Sequence, residues 1–162
     1  MTATTKPNQL EPGDEAPSFD LPNQHGERVH LDDLRGQRVI LYTYPKAFTP
    51  GCTDESCSFR DARGDFEEAG FTVIGLSSDA PERNRDFDTE HGLGFTVLSD
   101  EDHAVQEAYG AWGERNKYGK VSEGPIRSTF VIDADGRIEQ ALYNVKATGH
   151  VDRVRKLVGL AN

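Results

Sequence analysis

The chain has 162 residues, of which 35% are hydrophobic and 28% charged, with a formal net charge of -10 and a pI of about 4.9. This length suits one domain with one core, so we expect residues 1–162 to form a single domain, with residues 1–13 as a flexible lead. A surface this acidic repels nucleic-acid phosphates and anionic lipid, which argues against nucleic-acid and membrane partners.

The expected location is the cytoplasm. Residues 1–10 contain neither an apolar stretch nor a cleavage signal of the secretory kind. The longest apolar-rich stretch, residues 39–44, is far too short to cross a bilayer. In the cytoplasm disulfides are rare unless they turn over, which draws attention to the two cysteines, Cys52 and Cys57.

In the first half of the chain, the pattern predicts two short strands around a turn, a turn of helix, a buried strand, a loop and a helix. The two short strands are 18–21 and 28–31, around a turn at 23–26. The turn of helix is 32–36, the buried strand 38–44, the loop 46–51 and the helix 52 to about 69. The strand at 38–44 is β-branched and aromatic, and the helix repeats apolar residues near helical spacing before Gly70.

In the second half, strands and helices continue to alternate. The predicted ranges are strand 71–77, helix 81–90, strand 95–98, helix 103–109, loop 110–125, strands 128–132 and 138–143 around a tight turn at 133–136, and helix 150–160. Strands that alternate with helices and end in a hairpin plus a helix indicate an α/β sandwich with a mixed central sheet.

Cys52 is the strongest candidate for a chemical role. It follows Pro50 and Gly51 and opens a helical run, which places it in the first turn of a helix. There the free backbone N–H groups and the helix dipole favour an anion, and the thiolate is the nucleophilic form of cysteine. The Thr49 hydroxyl can reach back to donate to the sulfur or to a bound oxygen, and Pro45 and Pro50 stiffen the loop. An inert core cysteine is the alternative.

Cys57 lies five residues after Cys52. In a regular helix the two Cα atoms would be roughly 8 to 9 Å apart, whereas a disulfide tolerates at most about 7 Å. A bond between them therefore requires the start of the helix to unwind. The alternative for Cys57 is a packed core thiol.

Asp54 and Glu55 stand in the same first turn of the helix as Cys52, where capping and complementarity to the helix dipole explain them. Their negative charges also oppose a thiolate, so we expect a compensating cation. The sequence offers Lys46 and Arg60 nearby and Arg127 at the start of a distant strand, and it leaves the choice open.

Other chemistries find little support. The five histidines are neither paired at helical spacing nor close to a cysteine, a pattern that argues against a metal site. They are His25, His30, His91, His103 and His150. The stretch 133–136 starts like a calcium loop, but Asn144 stands where the twelfth-position Glu belongs, so we interpret it as a turn. No nucleotide-binding motif occurs. Spacing leaves a cysteine–histidine hydrolase open, with nothing positive in its favour.

The segment from Pro45 to Cys52 resembles the P-x-x-x-T-x-x-C signature of peroxiredoxins, and Cys57 resembles the resolving cysteine of the peroxiredoxin Q subfamily, also called bacterioferritin comigratory protein. The likeness extends to residues 13–17, 98–103 and 127–136. It implies a thioredoxin-like fold, with the mixed central sheet flanked by helices and preceded by an N-terminal β-hairpin extension.

The resemblance also implies a site and a reaction. Cys52 would be the peroxidatic cysteine, with Thr49, Pro45 and Arg127 completing the site and Cys57 as the resolving cysteine. The reaction implied is thiol-dependent reduction of hydrogen peroxide and organic hydroperoxides, recycled by thioredoxin or a similar dithiol, by a monomer or weak homodimer without metal, haem or flavin. The alternatives are a thioredoxin-like disulfide oxidoreductase, whose usual C-x-x-C is absent, and a non-enzymatic redox sensor.

Overall fold

The structure is a computed structural model, and it describes residues 9–47, 49–117, 119–146 and 149–159. It begins with a small antiparallel hairpin, β1 (Asp20–Pro22) and β2 (Arg28–His30). A single 3-10 turn, Leu31–Leu34, follows. The predicted hairpin extension and turn of helix are therefore present, with ends shifted by one or two residues.

The core of the fold is a five-stranded mixed sheet made of β3 (Arg38–Thr43), β4 (Phe71–Ser77), β5 (Thr96–Ser99), β8 (Ser128–Ile132) and β9 (Ile138–Leu142). The strands lie in the order β5-β4-β3-β8-β9. β3 pairs parallel with β4 and antiparallel with β8, so both orientations meet at the central strand. This confirms the predicted mixed sheet.

In the described part of the chain, four α-helices accompany the sheet: α1 (Pro50–Glu68), α2 (Pro81–His91), α3 (Ala104–Ala108) and α4 (His150–Leu157). α1 begins two residues before the predicted start, so the predicted loop at 46–51 is wrong for its last two residues. Pro50 occupies the first helical position, where its missing N–H would have no partner in any case, and Thr49 is the N-cap.

Two hydrophobic clusters lie on opposite faces of the sheet, because successive side chains of β3 point to opposite sides. Ile40 and Tyr42 belong to the cluster that α1, α2 and α4 cover. Val39 and Leu41 belong to the other cluster, which the N-terminal hairpin and the region around Tyr109 cover. Burial on both faces explains why β3 is an almost continuous apolar run.

The predicted loop at 110–125 is wrong. The chain forms a second hairpin there, β6 (Trp112–Lys117) and β7 (Lys120–Pro125), paired antiparallel from Trp112↔Pro125 to Lys117↔Lys120. Glycines stand opposite each other at Gly113 and Gly124 and polar residues dominate the strands, so local strand propensity is weak. Pairing across the hairpin supplies the order that propensity does not.

The remaining differences lie at element ends. α3 is one residue shorter at each end than predicted, and α4 ends at Leu157, while residue 160 of its predicted range lies outside the described residues. Residues 1–8 of the predicted flexible lead also lie outside them. The end of that lead is held by hydrogen bonds, because Leu10 N–H donates to the Tyr143 hydroxyl at 2.8 Å and Gly13 N–H donates to the Ile138 carbonyl at 2.8 Å.

Candidate active site

Cys52 lies in the first turn of α1, where the sequence placed it. Its side chain is buried, at 1% exposure, and it is a free thiol. The first bond within the helix runs from Thr53 N–H to the Thr49 carbonyl at 2.9 Å. The N–H groups of Gly51 and Cys52 therefore have no acceptor inside the helix and face the end where a negative charge is favoured.

Arg127 reaches Cys52 because of the register of the sheet. It precedes Ser128, the first residue of β8, which pairs with Thr43, the last residue of β3. Arg127 thus lies at the end of β3 from which the chain turns into α1. Its Nη2 donates to Cys52 Sγ at 3.2 Å. This guanidinium, 16% exposed, supplies the positive charge that the sequence led us to expect.

The other two candidate cations point elsewhere. Lys46 is exposed in the loop before α1. Arg60 donates through Nε to Asp61 at 3.0 Å and through Nη1 to the His91 carbonyl at 2.7 Å, on the side of α1 that faces the end of α2. Among the three, Arg127 is the one that hydrogen-bonds to Cys52.

Glu55 belongs to the same cluster, and its burial against Arg127 is the part that the sequence did not indicate. Its carboxyl group is fully buried, and Oε1 accepts a hydrogen bond from Arg127 Nη1 at 2.6 Å. Its other oxygen, Oε2, has no hydrogen-bond partner among the described residues. Burial raises the pKa of Glu55 to about 7, although the adjacent Arg127 lowers it in part. A signal was available, since Glu55 lies three residues after Cys52 and so shares its helix face.

The capping role expected for Asp54 and Glu55 is wrong. Since α1 begins at Pro50, both residues lie beyond its first turn, and no acidic residue stands in that turn. Asp54 is exposed, whereas Glu55 points inward to Arg127. The two neighbouring carboxylates therefore have different surroundings because α1 turns one to solvent and the other to the sheet.

Thr49 lies beside this cluster as the N-cap residue of α1. Its hydroxyl donates to the Lys46 carbonyl at 2.9 Å, so the proton is used within the loop and not directed at the sulfur. Pro45 is half-buried immediately after the end of β3. The expected donation from Thr49 to Cys52 is therefore not the arrangement seen, and the Thr49 oxygen is left as an acceptor.

Two residues beyond β4 hold the loop between β3 and α1, and the sequence did not single them out. Ala47 N–H donates to Asp79 Oδ2 at 2.7 Å, and Arg83 Nη2 donates to the Ala47 carbonyl at 3.3 Å. Ser77 Oγ donates to the same Asp79 oxygen at 2.8 Å. The peptide groups of Ala47 are thus bound to a separate part of the chain, which sets the path of the loop into α1.

Cys57 lies further along α1 and is half-buried, and it too is a free thiol. Because α1 is continuous from Pro50 to Glu68, the pair has the spacing of an intact helix. At that spacing the two Cα atoms are too far apart for a disulfide. The conformation described here is therefore that of the reduced protein, with Cys52 directed at Arg127.

Among the described residues, no group of three or more His, Cys, Asp or Glu side chains is arranged to hold a metal ion. In the same part of the chain, no helix has both the length and the apolar character needed to cross a membrane.

The arrangement suits nucleophilic chemistry at sulfur. A thiolate at Cys52 would lie against a guanidinium and at the N-terminus of a helix, and both favour negative charge. The same donors can stabilise charge that develops on an oxygen next to the sulfur.

Comparison with known proteins places this geometry in a family. Residues 12–141 match the AhpC/TSA family. Peroxiredoxin Bcp of Escherichia coli is 49% identical over 147 residues, which cover 91% of this chain and 94% of that protein. A Mycobacterium tuberculosis protein with a provisional peroxiredoxin assignment is 55% identical over 152 residues, covering 94% of this chain and 97% of its own.

Solved structures agree. Peroxiredoxin Q of Xanthomonas campestris superposes with a TM-score of 0.82 at 34% identity, covering 86% of this chain and 89% of that one. PrxQ of Xylella fastidiosa gives a TM-score of 0.86 at 30% identity, covering 93% of this chain and 96% of that one. The thioredoxin-like fold is thereby confirmed. The chain belongs to the AhpC/TSA family and is a peroxiredoxin of the Bcp and peroxiredoxin Q group, a thiol-dependent peroxidase.

Proposed function

We propose that Cys52 is the peroxidatic cysteine of this peroxidase. The observation that carries the proposal is the hydrogen bond from Arg127 Nη2 to Cys52 Sγ at the N-terminus of α1. In the first step the Cys52 thiolate attacks the terminal oxygen of a hydroperoxide. A sulfur–oxygen bond forms and the oxygen–oxygen bond breaks, giving the sulfenic acid and an alkoxide or hydroxide, which takes a proton from solvent.

The residues around Cys52 have separate tasks in this step. Arg127 and the N–H groups of the first turn of α1 stabilise the charge that moves from sulfur to the leaving oxygen. The Thr49 oxygen, whose own proton is donated to the Lys46 carbonyl, accepts a hydrogen bond from the hydroperoxide O–H and so orients it. Pro45 shields the thiolate from water at the end of β3.

Cys57 is proposed to complete the cycle as the resolving cysteine. Its thiol attacks the Cys52 sulfenic acid, the disulfide forms and one water leaves. The start of α1 must unwind for this, because the pair is too far apart in the intact helix. A dithiol protein such as thioredoxin then reduces the disulfide.

The substrates we propose are hydrogen peroxide and organic hydroperoxides. The solved structure of the Xanthomonas campestris bacterioferritin comigratory protein is described in terms of its alkyl peroxide reduction activity, which supports the organic class. We also propose a cytoplasmic, single-domain protein that acts as a monomer or weak homodimer without nucleic-acid or membrane partners and without a cofactor.

Variants of the two cysteines test the cycle. We expect Cys52→Ser to abolish peroxide consumption with thioredoxin, thioredoxin reductase and NADPH. Cys57→Ser, the matched control on the same helix, should still consume one equivalent of peroxide but fail to turn over with thioredoxin. Mass spectrometry after one equivalent of peroxide should show a disulfide within one chain of the unaltered protein. Peroxide consumption by Cys52→Ser would overturn the proposal.

A rival interpretation is thioredoxin-like disulfide exchange without peroxidase chemistry. It predicts that the protein reduces a disulfide in another protein even when no peroxide is present. A redox sensor predicts a single oxidation with no turnover.

The unwinding step has its own check, since amide hydrogen exchange at residues 52–60 should be faster in the oxidised than in the reduced protein. Equal protection in both states would count against it.

A further inference from the structure

Two buried hydroxyl groups meet beneath α1. Tyr42 Oη and Ser56 Oγ lie 2.8 Å apart, and both side chains are fully buried. Tyr42 comes from the central strand β3 and Ser56 immediately precedes Cys57. The active-site cluster described above uses neither hydroxyl.

The position of Tyr42 is closely defined by its surroundings. Its ring stacks on Phe59 of α1, with centroids 4.4 Å apart. Gly75 faces it from β4, and a Cβ atom added there would lie 2.9 Å from Tyr42 Oη. Burial, followed by the neighbouring Tyr44, raises the pKa of Tyr42 well above its ordinary value, so the hydroxyl keeps its proton. A neutral, fixed hydroxyl is thus held against Ser56.

The geometry of a disulfide makes Ser56 relevant to the reaction. The separation of the Cys52 and Cys57 Cα atoms depends only on the backbone torsions from residue 52 to residue 57. Unwinding residues 50 and 51 alone cannot bring the cysteines together. The change must come from the torsions between the two Cα atoms, most of which belong to Thr53, Asp54, Glu55 and Ser56.

Two of those four residues are anchored to the rest of the fold. Glu55 is bound to Arg127, and Ser56 is bound to Tyr42. Thr53 is half-buried and Asp54 is exposed. The Tyr42–Ser56 pair ties Ser56 to β3 and so opposes rotation there. Rotation is then shifted towards residues 52–55, where it pulls Glu55 from Arg127.

We propose that the Tyr42–Ser56 hydroxyl pair is a positioning element that keeps α1 helical next to Cys57. In this way it sets the rate of Cys52–Cys57 disulfide formation. This inference rests on the proposed role of Cys57. Slow resolution has a chemical consequence, because a second hydroperoxide can then oxidise the sulfenate to the sulfinate, with transfer of one oxygen atom and release of the alcohol or water. The pair therefore also sets how readily the enzyme is inactivated by excess peroxide.

Tyr42→Phe is the sharpest test, since it removes one hydroxyl and leaves the sequence of α1 unchanged. After rapid mixing with peroxide, quenched samples are alkylated and weighed by mass spectrometry. We expect the first-order formation of the disulfide to be roughly three- to tenfold faster, as the loss of one buried hydrogen bond allows. The second-order oxidation of Cys52 should stay within about twofold, and the peroxide concentration that half-inactivates the enzyme should rise in proportion.

Two further variants separate this role from general loosening. Tyr109→Phe removes another buried tyrosine hydroxyl, which donates to the Pro17 carbonyl at 2.6 Å in the cluster on the opposite face of the sheet. It should leave disulfide formation unchanged even if it lowers the unfolding temperature. In a Ser56→Ala background, Tyr42→Phe should have no further effect, because the hydrogen bond is already absent.

The outcomes are distinguishable. If the unaltered protein forms no Cys52–Cys57 disulfide, the proposed role of Cys57 fails and this inference fails with it. If the disulfide forms but Tyr42→Phe forms it at the unaltered rate, only the inference is overturned. Equal acceleration by Tyr42→Phe and Tyr109→Phe would also overturn it, because the effect would then be one of overall stability.

Discussion

Arg127 contacts two acidic groups at once. One nitrogen donates to Cys52 Sγ and another to Glu55 Oε1, so the carboxyl and the thiol share one guanidinium. Cys52 and Glu55 are three residues apart on α1, which places both on the buried side of the helix. The electrostatic stabilisation that Arg127 gives to a thiolate at Cys52 therefore depends on whether Glu55 is protonated or ionised.

The free energy of unfolding should vary with pH according to the protonation of Glu55. Its pKa is raised from 4.5 to about 7 by burial, so the folded protein binds this proton more tightly than the unfolded chain. The resulting stabilisation is fully present below about pH 4.5 and is lost as the pH rises towards 7. The change is about 1.4 kcal/mol for each unit of pKa difference.

Denaturant unfolding of the unaltered protein and of Glu55→Gln at several pH values measures this effect. The unaltered protein should lose stability relative to Glu55→Gln as the pH rises from about 4.5 to about 7. Asp61→Asn, which removes a carboxylate from the exposed side of the same helix, is the matched control. A difference between the unaltered protein and Glu55→Gln that does not vary with pH would contradict the raised pKa.

At the scale of elements, the loop between β3 and α1 is held by residues that follow β4. Asp79 accepts the N–H of Ala47, and Arg83 donates to the carbonyl of the same residue. Ala47 is fully buried and lies between Pro45 and Thr49. The position of the α1 N-terminus, and with it the position of Thr49, thus depends on a contact with a different βα connection.

Removing that contact should slow the first chemical step. Because small misplacements of reacting groups reduce rates strongly, we expect Asp79→Ala to lower kcat/KM for peroxide by roughly ten- to a hundredfold. Asp79→Asn keeps an oxygen that can accept the Ala47 N–H and should recover much of the loss. Stopped-flow oxidation of Cys52 is the measurement, and identical rate constants for Asp79→Ala and the unaltered protein would show that the loop keeps its path without Asp79.

At the scale of the whole molecule, the C-terminal helix closes the face of the sheet that carries the site. His150, the first residue of α4, is buried, and its Nε2 lies 2.6 Å from Thr129 Oγ1 on β8. Its ring also meets Phe59 of α1 edge-on, with centroids 6.3 Å apart. Burial, with Arg153 and Arg127 adding to it, lowers the pKa of His150 to about 4.

His150 should contribute a loss of stability as the pH is lowered. The unfolded chain takes up the proton on this histidine near pH 6.5, and the folded protein takes it up only near pH 4. The stability contributed by neutral His150 is therefore fully present above about pH 6.5 and falls as the pH is lowered to 4. His150→Gln should abolish that fall. The effect opposes that of Glu55 in an overlapping range, so the unaltered protein should show a flatter dependence on pH than either single variant. A slope unchanged in His150→Gln would contradict this assignment.

Much of the fold follows from local pattern. The β-branched and aromatic run at 38–44 predicted a buried strand, and β3 (Arg38–Thr43) is the central one. The alternation of strands and helices predicted the mixed sheet. The hairpin at 112–125 was missed because Gly113, Gly124 and the polar residues between them carry little strand propensity, and its order comes from cross-strand pairing.

At the site, the sequence alone determined that Cys52 lies in the first turn of a helix. Pro50 fits the first helical position and Thr49 the N-cap, and both preferences act within a few residues. Only the tertiary structure decided which cation meets Cys52, that Glu55 is buried beside it and that Asp79 holds the loop. Those contacts depend on the register of β3 with β8 and on the side of α1 that faces the sheet. Long-range pairing brings together residues that are far apart along the chain, and their positions in the sequence do not indicate which of them will meet.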